Sequence, residues 1–198
     1  SDLDVNDEDL IPVEDVIITI TNKGYIKRMR VDGYRAQKRG GKGITGTKMQ
    51  GDDFVERVIF TSSHDNLLFF TNLGKVYTLK AFQIPAASRI SKGLPLVNIL
   101  PFEEGERLAT VINIQSVEQG GFLMFATKNG GIKKTELIEY KNIRSTGIRA
   151  IVLNEGDEVI EAALTDGTKD VILGSSNGKA VRFNESLVRS TKRAASGV

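Results

Sequence analysis

Apolar residues in this chain fall in short runs separated by polar turns, and no window sustains the i, i+3, i+4, i+7 spacing of a long helix. The clearest runs are VIITIT (16–21), LLFFT (67–71), FLMFA (122–126) and VILG (171–174). Each is closed by a turn: Asn22-Lys23-Gly24, Asn72-Leu73-Gly74, Lys128-Asn129-Gly130 or Ser176-Asn177-Gly178. Their content of Val, Ile, Phe and Thr predicts strands, and a second apolar run after each turn predicts a hairpin. Asn129-Gly130 and Asn177-Gly178 match a tight turn in which both central residues take positive φ. Further strands are predicted over 54–61, 107–114 and 158–164, after turns at Gly51-Asp52-Asp53, Glu104-Gly105-Glu106 and Glu155-Gly156-Asp157.

A second glycine series, Gly43-Ile44, Gly93-Leu94, Gly147-Ile148 and Gly197-Val198, keeps step with the turn glycines at a period of about 50 residues. One more strand after each of these glycines makes about four strands per repeat. That is the blade of an all-β, propeller-like array, in which neighbouring repeats must bury each other's faces. The expected blades are 16–64, 65–120, 121–169 and a partial 170–198, within a single domain over 16–198. The fourth repeat stops where its third strand is due, so the chain reads as part of a larger ring.

Charge changes the picture in two places. Residues 1–15 hold seven acids (Asp2, Asp4, Asp7, Glu8, Asp9, Glu14, Asp15) and no Lys or Arg, which predicts a solvated acidic linker. Without those seven, 18 acidic residues face 27 basic ones, so the remainder carries +9 rather than the overall +2 and favours a polyanionic partner. The chain has no Cys and one His, His64, which is expected in a surface loop. Disulfides, thiolate chemistry and Cys-based zinc sites are thereby excluded, and no paired carboxylates or nucleophile with a base stands out. No catalytic or metal-ligating residue is expected. No apolar stretch approaches the roughly 20 residues of a membrane helix, and the N-terminus lacks the order of a signal peptide.

The densest positive stretch runs from Lys23 to Lys48, with nine cations (Lys23, Lys27, Arg28, Arg30, Arg35, Lys38, Arg39, Lys42, Lys48) and one acid, Asp32. Within it lies QKRGGKG: Gln37, Lys38, Arg39, Gly40, Gly41, Lys42, Gly43. Glycines let a backbone approach phosphate closely, while Lys and Arg contact its oxygens. The GxxxxGK[ST] spacing of a nucleotide-binding loop is absent. Aligned on the second glycine, weaker versions recur as Arg89 and Lys92, Arg144, and Lys192 and Arg193, with Arg39, Arg89 and Arg193 at one repeat position. These loops are expected on a common rim. Lys133, Lys134, Lys141, Lys179 and Arg182 read equally well as solvated strand positions and as DNA contacts.

QKRGGKG resembles the basic box in the C-terminal domain of the bacterial DNA gyrase A protein, with Lys38 where Arg is common. The surrounding residues 9–43, 65–77 and 164–183 also look like that family, so the resemblance covers nearly the whole chain. It implies a β-pinwheel, a propeller relative whose blades exchange strands with their neighbours. It further implies non-sequence-specific binding, bending and wrapping of double-stranded DNA, giving the positive wrap used in ATP-dependent negative supercoiling. The box role carries over to residues 37–43, with Arg28, Arg30, Arg35, Lys48, Arg89, Lys92, Arg144, Lys192 and Arg193 as further DNA contacts. The cleaving tyrosine and the ATP and Mg2+ sites of that enzyme lie outside this segment, so no cofactor is expected here and Tyr25, Tyr34, Tyr77 and Tyr140 are expected to pack. Implied partners are the gyrase A N-terminal domain and the gyrase B protein in an A2B2 enzyme, in the bacterial cytoplasm at the nucleoid, with the isolated domain monomeric. Alternatives are the corresponding topoisomerase IV domain and a protein-interaction propeller, which predicts a mixed-charge rim.

Overall fold

A computed structural model describes residues 8–32, 50–174 and 177–198. Among the described residues thirteen strands occupy Asp15–Thr21 (β1), Tyr25–Arg30 (β2), Val55–Ser62 (β3), Asn66–Thr71 (β4), Lys75–Lys80 (β5), Leu94–Pro95 (β6), Leu108–Ile114 (β7), Phe122–Thr127 (β8), Ile132–Glu136 (β9), Ile148–Arg149 (β10), Val159–Thr165 (β11), Asp170–Gly174 (β12) and Ala180–Asn184 (β13). Every run predicted from apolar patterning is a strand, within a residue or two. The six 3-10 turns among the described residues are three or four residues long.

The strands form sheets in the orders β3-β1-β2-β6, β10-β5-β4-β7, β11-β8-β9 and β12-β13. In the first, β1 is central: Val16, Ile17, Ile18 and Ile20 are at most 2% exposed, because β2 and β3 flank it and both of its faces are covered. A bulge at Ile20/Thr21 shifts the pairing with β3. The chain forms two compact units. One comprises the described residues up to Leu67 with Leu79–Phe102 and Asn113–Gln115, and the other Leu68–Thr78, Glu103–Ile112 and Ser116–Val198. The second has an aromatic centre in which Phe70 meets Phe125 and Tyr140 nearly edge-on, at 5.4 and 6.5 Å.

One expectation needs correction. The turn at Asn129-Gly130 is not a tight pair with two positive-φ residues: Gly130 has φ +88°, whereas Asn129 is not among the positive-φ residues, and Gly130 N–H donates to Thr127 O at 3.0 Å. This is a type I turn closed by a left-handed glycine, the three-residue alternative that also matches strand twist. The strands after Gly93 and Gly147 join the sheet of the preceding repeat, the exchange that a β-pinwheel implies: β6 pairs with β2 (Tyr25↔Pro95, Ile26↔Leu94) and β10 with β5 (Ile148↔Val76, Arg149↔Lys75). Val198 likewise exchanges two backbone hydrogen bonds with Ile132 of β9, at 3.0 and 2.8 Å. The second and third repeats thus lend the third of their strands to the sheet before them.

Candidate nucleic-acid interface

Among the described residues, strand exchange turns two cation-bearing segments, 86–94 and 190–198, into arches on the second strand of the preceding repeat. In the first unit one foot is a parallel bridge between Ala86 and Arg28, with Ala87 N–H donating to Arg28 O at 3.1 Å. The other foot is Leu94 on Ile26. Between the feet sits Lys27, 5% exposed, whose Nζ donates to the carbonyls of Ser88, Arg89 and Ser91 at 3.1, 2.9 and 2.7 Å. Burial lowers the Lys27 pKa below its ordinary value. Gly93 closes the arch at φ +87°, where a Cβ would stand 2.4 Å from Ile26 O, so the glycine permits main-chain contact that no other residue allows.

The second unit repeats this design. Ser190 bridges Lys134, Thr191 N–H donates to Lys134 O at 2.8 Å, and the segment returns at Gly197 and Val198 on Ile132. Lys133, 1% exposed, donates to Arg193 O at 2.5 Å and Ala150 O at 2.9 Å. Burial, with Arg193 adding, pushes its ammonium down to about 8. Over β5 the equivalent residue is Tyr77. There Gly147 rests on the Tyr77 ring, and the turn closes on itself through Gly147 N–H to Arg144 O at 2.8 Å.

On these loops Arg89, Lys92, Arg144 and Lys192 are exposed and Arg193 is half-buried. Arg89 makes no side-chain hydrogen bond or ion pair among the described residues, and Lys92 Nζ lies 4.1 Å over the Tyr25 ring. Lys192 is 3.8 Å from Glu139, and Arg193 Nη1 donates to Arg149 O at 2.6 Å. Arg28 is half-buried with Nε on Ile84 O at 2.9 Å, and Arg30 forms a forked pair with Glu14 at 3.1 Å. Gln37, Lys38, Arg39, Gly40, Gly41, Lys42 and Gly43 lie outside the described residues, as do Tyr34, Arg35 and Lys48. Arg89 and Arg193 belong to different units.

Lys133 and Lys134 are not solvated strand positions. Lys134, 7% exposed, lies 3.6 Å from the fully buried Glu185 carboxylate, which also accepts from Thr165 Oγ1 at 2.9 Å and Lys169 N–H at 2.8 Å. Lys27 and Lys133 share one repeat position, but β2 (YIKRMR) and β9 (IKKTE) are rich in charged residues, so the sequence does not mark either lysine as buried. His64 lies, as expected, in a loop, the turn between β3 and β4, and is half-buried there. Its Nε2 is 2.8 Å from Ile11 O and therefore carries the hydrogen, and its ring lies 5.2 Å from that of Phe82. Tyr77 and Tyr140 pack as expected, each about 1% exposed, with hydroxyls donating to Glu106 at 2.8 Å and Ala150 O at 3.0 Å. Burial raises both of their pKa values.

The polar turns before β3, β7 and β11 brace the hairpins. Asp53 accepts from Lys23 and Phe54 N–H at 2.9 and 3.0 Å, and Asp157 from Asn129 and Glu158 N–H, both at 2.9 Å. Glu106 accepts instead from Thr71 Oγ1 at 2.6 Å. Among the described residues no group of three or more His, Cys, Asp or Glu is arranged to hold a metal, and no helix is long and apolar enough to cross a membrane.

The fourfold repeat has a counterpart among known families. A model described as DNA gyrase C-terminal domain, beta-propeller, matches residues 15–62, 65–115, 121–166 and 169–198. The chain belongs to this family. The DNA gyrase A protein of Streptococcus pyogenes serotype M1 is 53% identical over 194 residues, 98% of the chain and 23% of that protein. Its Halalkalibacterium halodurans counterpart is 48% identical over 192 residues, 97% and 23% respectively. The chain thus spans less than a quarter of the length of these gyrase A proteins. The solved C-terminal domain of DNA topoisomerase IV superposes with a TM-score of 0.79 at 33% identity, covering 96% of this chain and 57% of that one. That of DNA gyrase A gives 0.69 at 25%, covering 93% and 59%. With strands lent between consecutive repeats, the gyrase-type fold here is the β-pinwheel.

Proposed function

We propose that this chain binds duplex DNA through the cations of its arched loops, without sequence preference, and bends it into a wrap that serves an ATP-driven gyrase. The observation that carries the reading is the recurrence of exposed Arg and Lys at equivalent loop positions on a gyrase C-terminal domain fold. Arg89, Lys92 and Lys192 stand on arches footed on the neighbouring strand and Arg144 on a turn closed by Gly147, which suits phosphates spaced along a backbone. QKRGGKG, at the equivalent place in the first repeat, is proposed as the strongest contact, because it adds three cations and close-approach glycines. The proposed partners are the gyrase A N-terminal domain and the gyrase B protein in an A2B2 assembly. ATP and Mg2+ act elsewhere in that enzyme.

Bending 20 to 30 base pairs by 40 to 90° costs roughly 1 to 6 kcal/mol, so a wrap needs many contacts. Neutralising six to ten phosphates makes affinity fall about 10³- to 10⁵-fold between 50 and 200 mM salt. The test is ligation of nicked circular DNA in the presence of the full chain. A positive linking-number change is expected, lost in the variant with Lys38, Arg39 and Lys42 all replaced by Ala. Binding with a flat salt dependence, or no linking-number change, overturns the reading.

A further inference from the structure

We infer that Lys27 and Lys133 are positioning residues for DNA binding, each clamping from inside the arch that presents the next repeat's cations. The inference rests on the DNA-binding reading above and deepens it. An arch planted at both feet on one strand still leaves its crown, 87–92 or 191–196, free to take many paths. Lys27 removes that freedom in the first unit: its ammonium has three donors, and all three meet crown carbonyls, those of Ser88, Arg89 and Ser91. Lys133 does the same through Arg193 O, and ties that crown to Ala150 O.

The choice of partner marks these lysines off from a stabilising ion pair. Lys134 has the Glu185 carboxylate, whereas neither Lys27 nor Lys133 has a carboxylate within 4.0 Å among the described residues. Burying a charge against carbonyls alone is a poor source of stability, and an apolar side chain of similar length commonly packs as well or better. What the ammonium does supply is direction. With the carbonyls of Ser88 and Arg89 drawn inward, the Arg89 side chain is left exposed and Lys92 lies over Tyr25. Both residues are solvent-exposed, so carbonyls released from Lys27 would turn to water and the crown would reorient.

The test compares Lys27→Met and Lys133→Met with the unaltered full chain, measuring affinity for mixed-sequence duplex DNA across a salt series and amide exchange by mass spectrometry. Lys27→Met is expected to speed exchange over 86–93 while β1, β2 and β3 stay protected. It should make the slope of log affinity against log salt shallower by about 1.8, for two contacts at about 0.9 each. Lys133→Met should act in the same way on 190–197. Lys27→Arg, which retains the cation and its donors, should restore most of the slope. Lys27→Met placed on an Arg89→Ala/Lys92→Ala background should change the slope no further, since the contacts it misplaces are already gone. A Lys27→Met slope equal to wild type, full additivity on that background, or exchange rising throughout β1–β3 each overturns the inference. If wild-type chain itself shows no salt-dependent binding, the DNA-binding reading fails, while exchange over 86–93 still decides whether the clamp exists.

Discussion

The hairpins β8–β9 and β12–β13 present the same order of apolar run, glycine turn and second run, yet their environments diverge. In β8, Leu123, Met124 and Phe125 are at most 6% exposed, and Lys133 on β9 is 1% exposed. In the later hairpin Ile172 is 68% exposed and Val181, at the position of Lys133, is 61% exposed. The difference lies in the neighbours. β8 has β11 along one side, and β9 has the 190–198 segment along the other, whereas among the described residues β12 and β13 pair only with each other. A strand pattern therefore reports how a segment folds locally, and burial reports what is laid against it.

Truncating matched side chains breaks the likeness between the hairpins most directly. Phe125→Ala removes a ring packed on Phe70 and Tyr140 and is expected to cost about 3–5 kcal/mol, read from urea unfolding. Val181→Ala is expected to stay within about 0.5 kcal/mol. A comparable loss in both would mean that β13 is covered in solution. Next in size is Glu185→Ala, which strands Lys134 without its carboxylate and should cost about 3 kcal/mol, seen as a lowered Tm.

Turn glycines sharpen the contrast, because their role is local. Gly130 and Gly178 have φ +88° and +80° and nothing within 4 Å of a Cβ position. Each change to Ala should then cost about 1–2 kcal/mol, the same in both hairpins despite their unequal burial. Gly93→Ala should cost more than either, since it adds a clash with Ile26 O to the same backbone penalty.

The smallest effects come from the carboxylates bracing the two hairpins. Desolvation raises the Asp157 pKa, but hydrogen bonds from Thr127, Asn129 and Glu158 outweigh it and hold the carboxyl below its ordinary 3.8. Asp170 is lowered as well, first by Arg182 and then by Asn184. A depressed carboxylate pKa contributes stability that is fully present above the unfolded value and is lost as pH falls through the folded one. Asp157→Asn should therefore destabilise at neutral pH, with the deficit starting to shrink as pH drops below 3.8 and vanishing only below the lower folded pKa. Asp170→Asn, at an exposed pair, should show a smaller deficit that salt also removes.

Much of the fold was legible because its signals are short-range. Gly24, Gly74, Gly130 and Gly178 mark turns, and runs of Val, Ile and Phe between them mark strands, whatever the rest of the chain does. The phase of the second glycine series was equally plain, though its reason was not. Gly93 and Gly147 occupy left-handed conformations and allow close contact with Ile26 and Tyr77 of the preceding repeat, a demand no local window reveals. Candidate cations were readable as charge at a repeat position. Which of them face solvent was not: Arg89 is exposed, whereas Lys133, in an equally basic-looking stretch, is a main-chain clamp.

By itself the sequence determined the turns, the strand runs, the period and the phase of the cations, all governed by dihedral preference and spacing within a few residues. Only the tertiary structure decided that β6 and β10 join the preceding sheet and that Lys27 and Lys133 lie beneath an arch. Pairing between repeats is settled by contacts tens of residues apart, so a buried ammonium and a solvated one look alike until the neighbouring chain is in place.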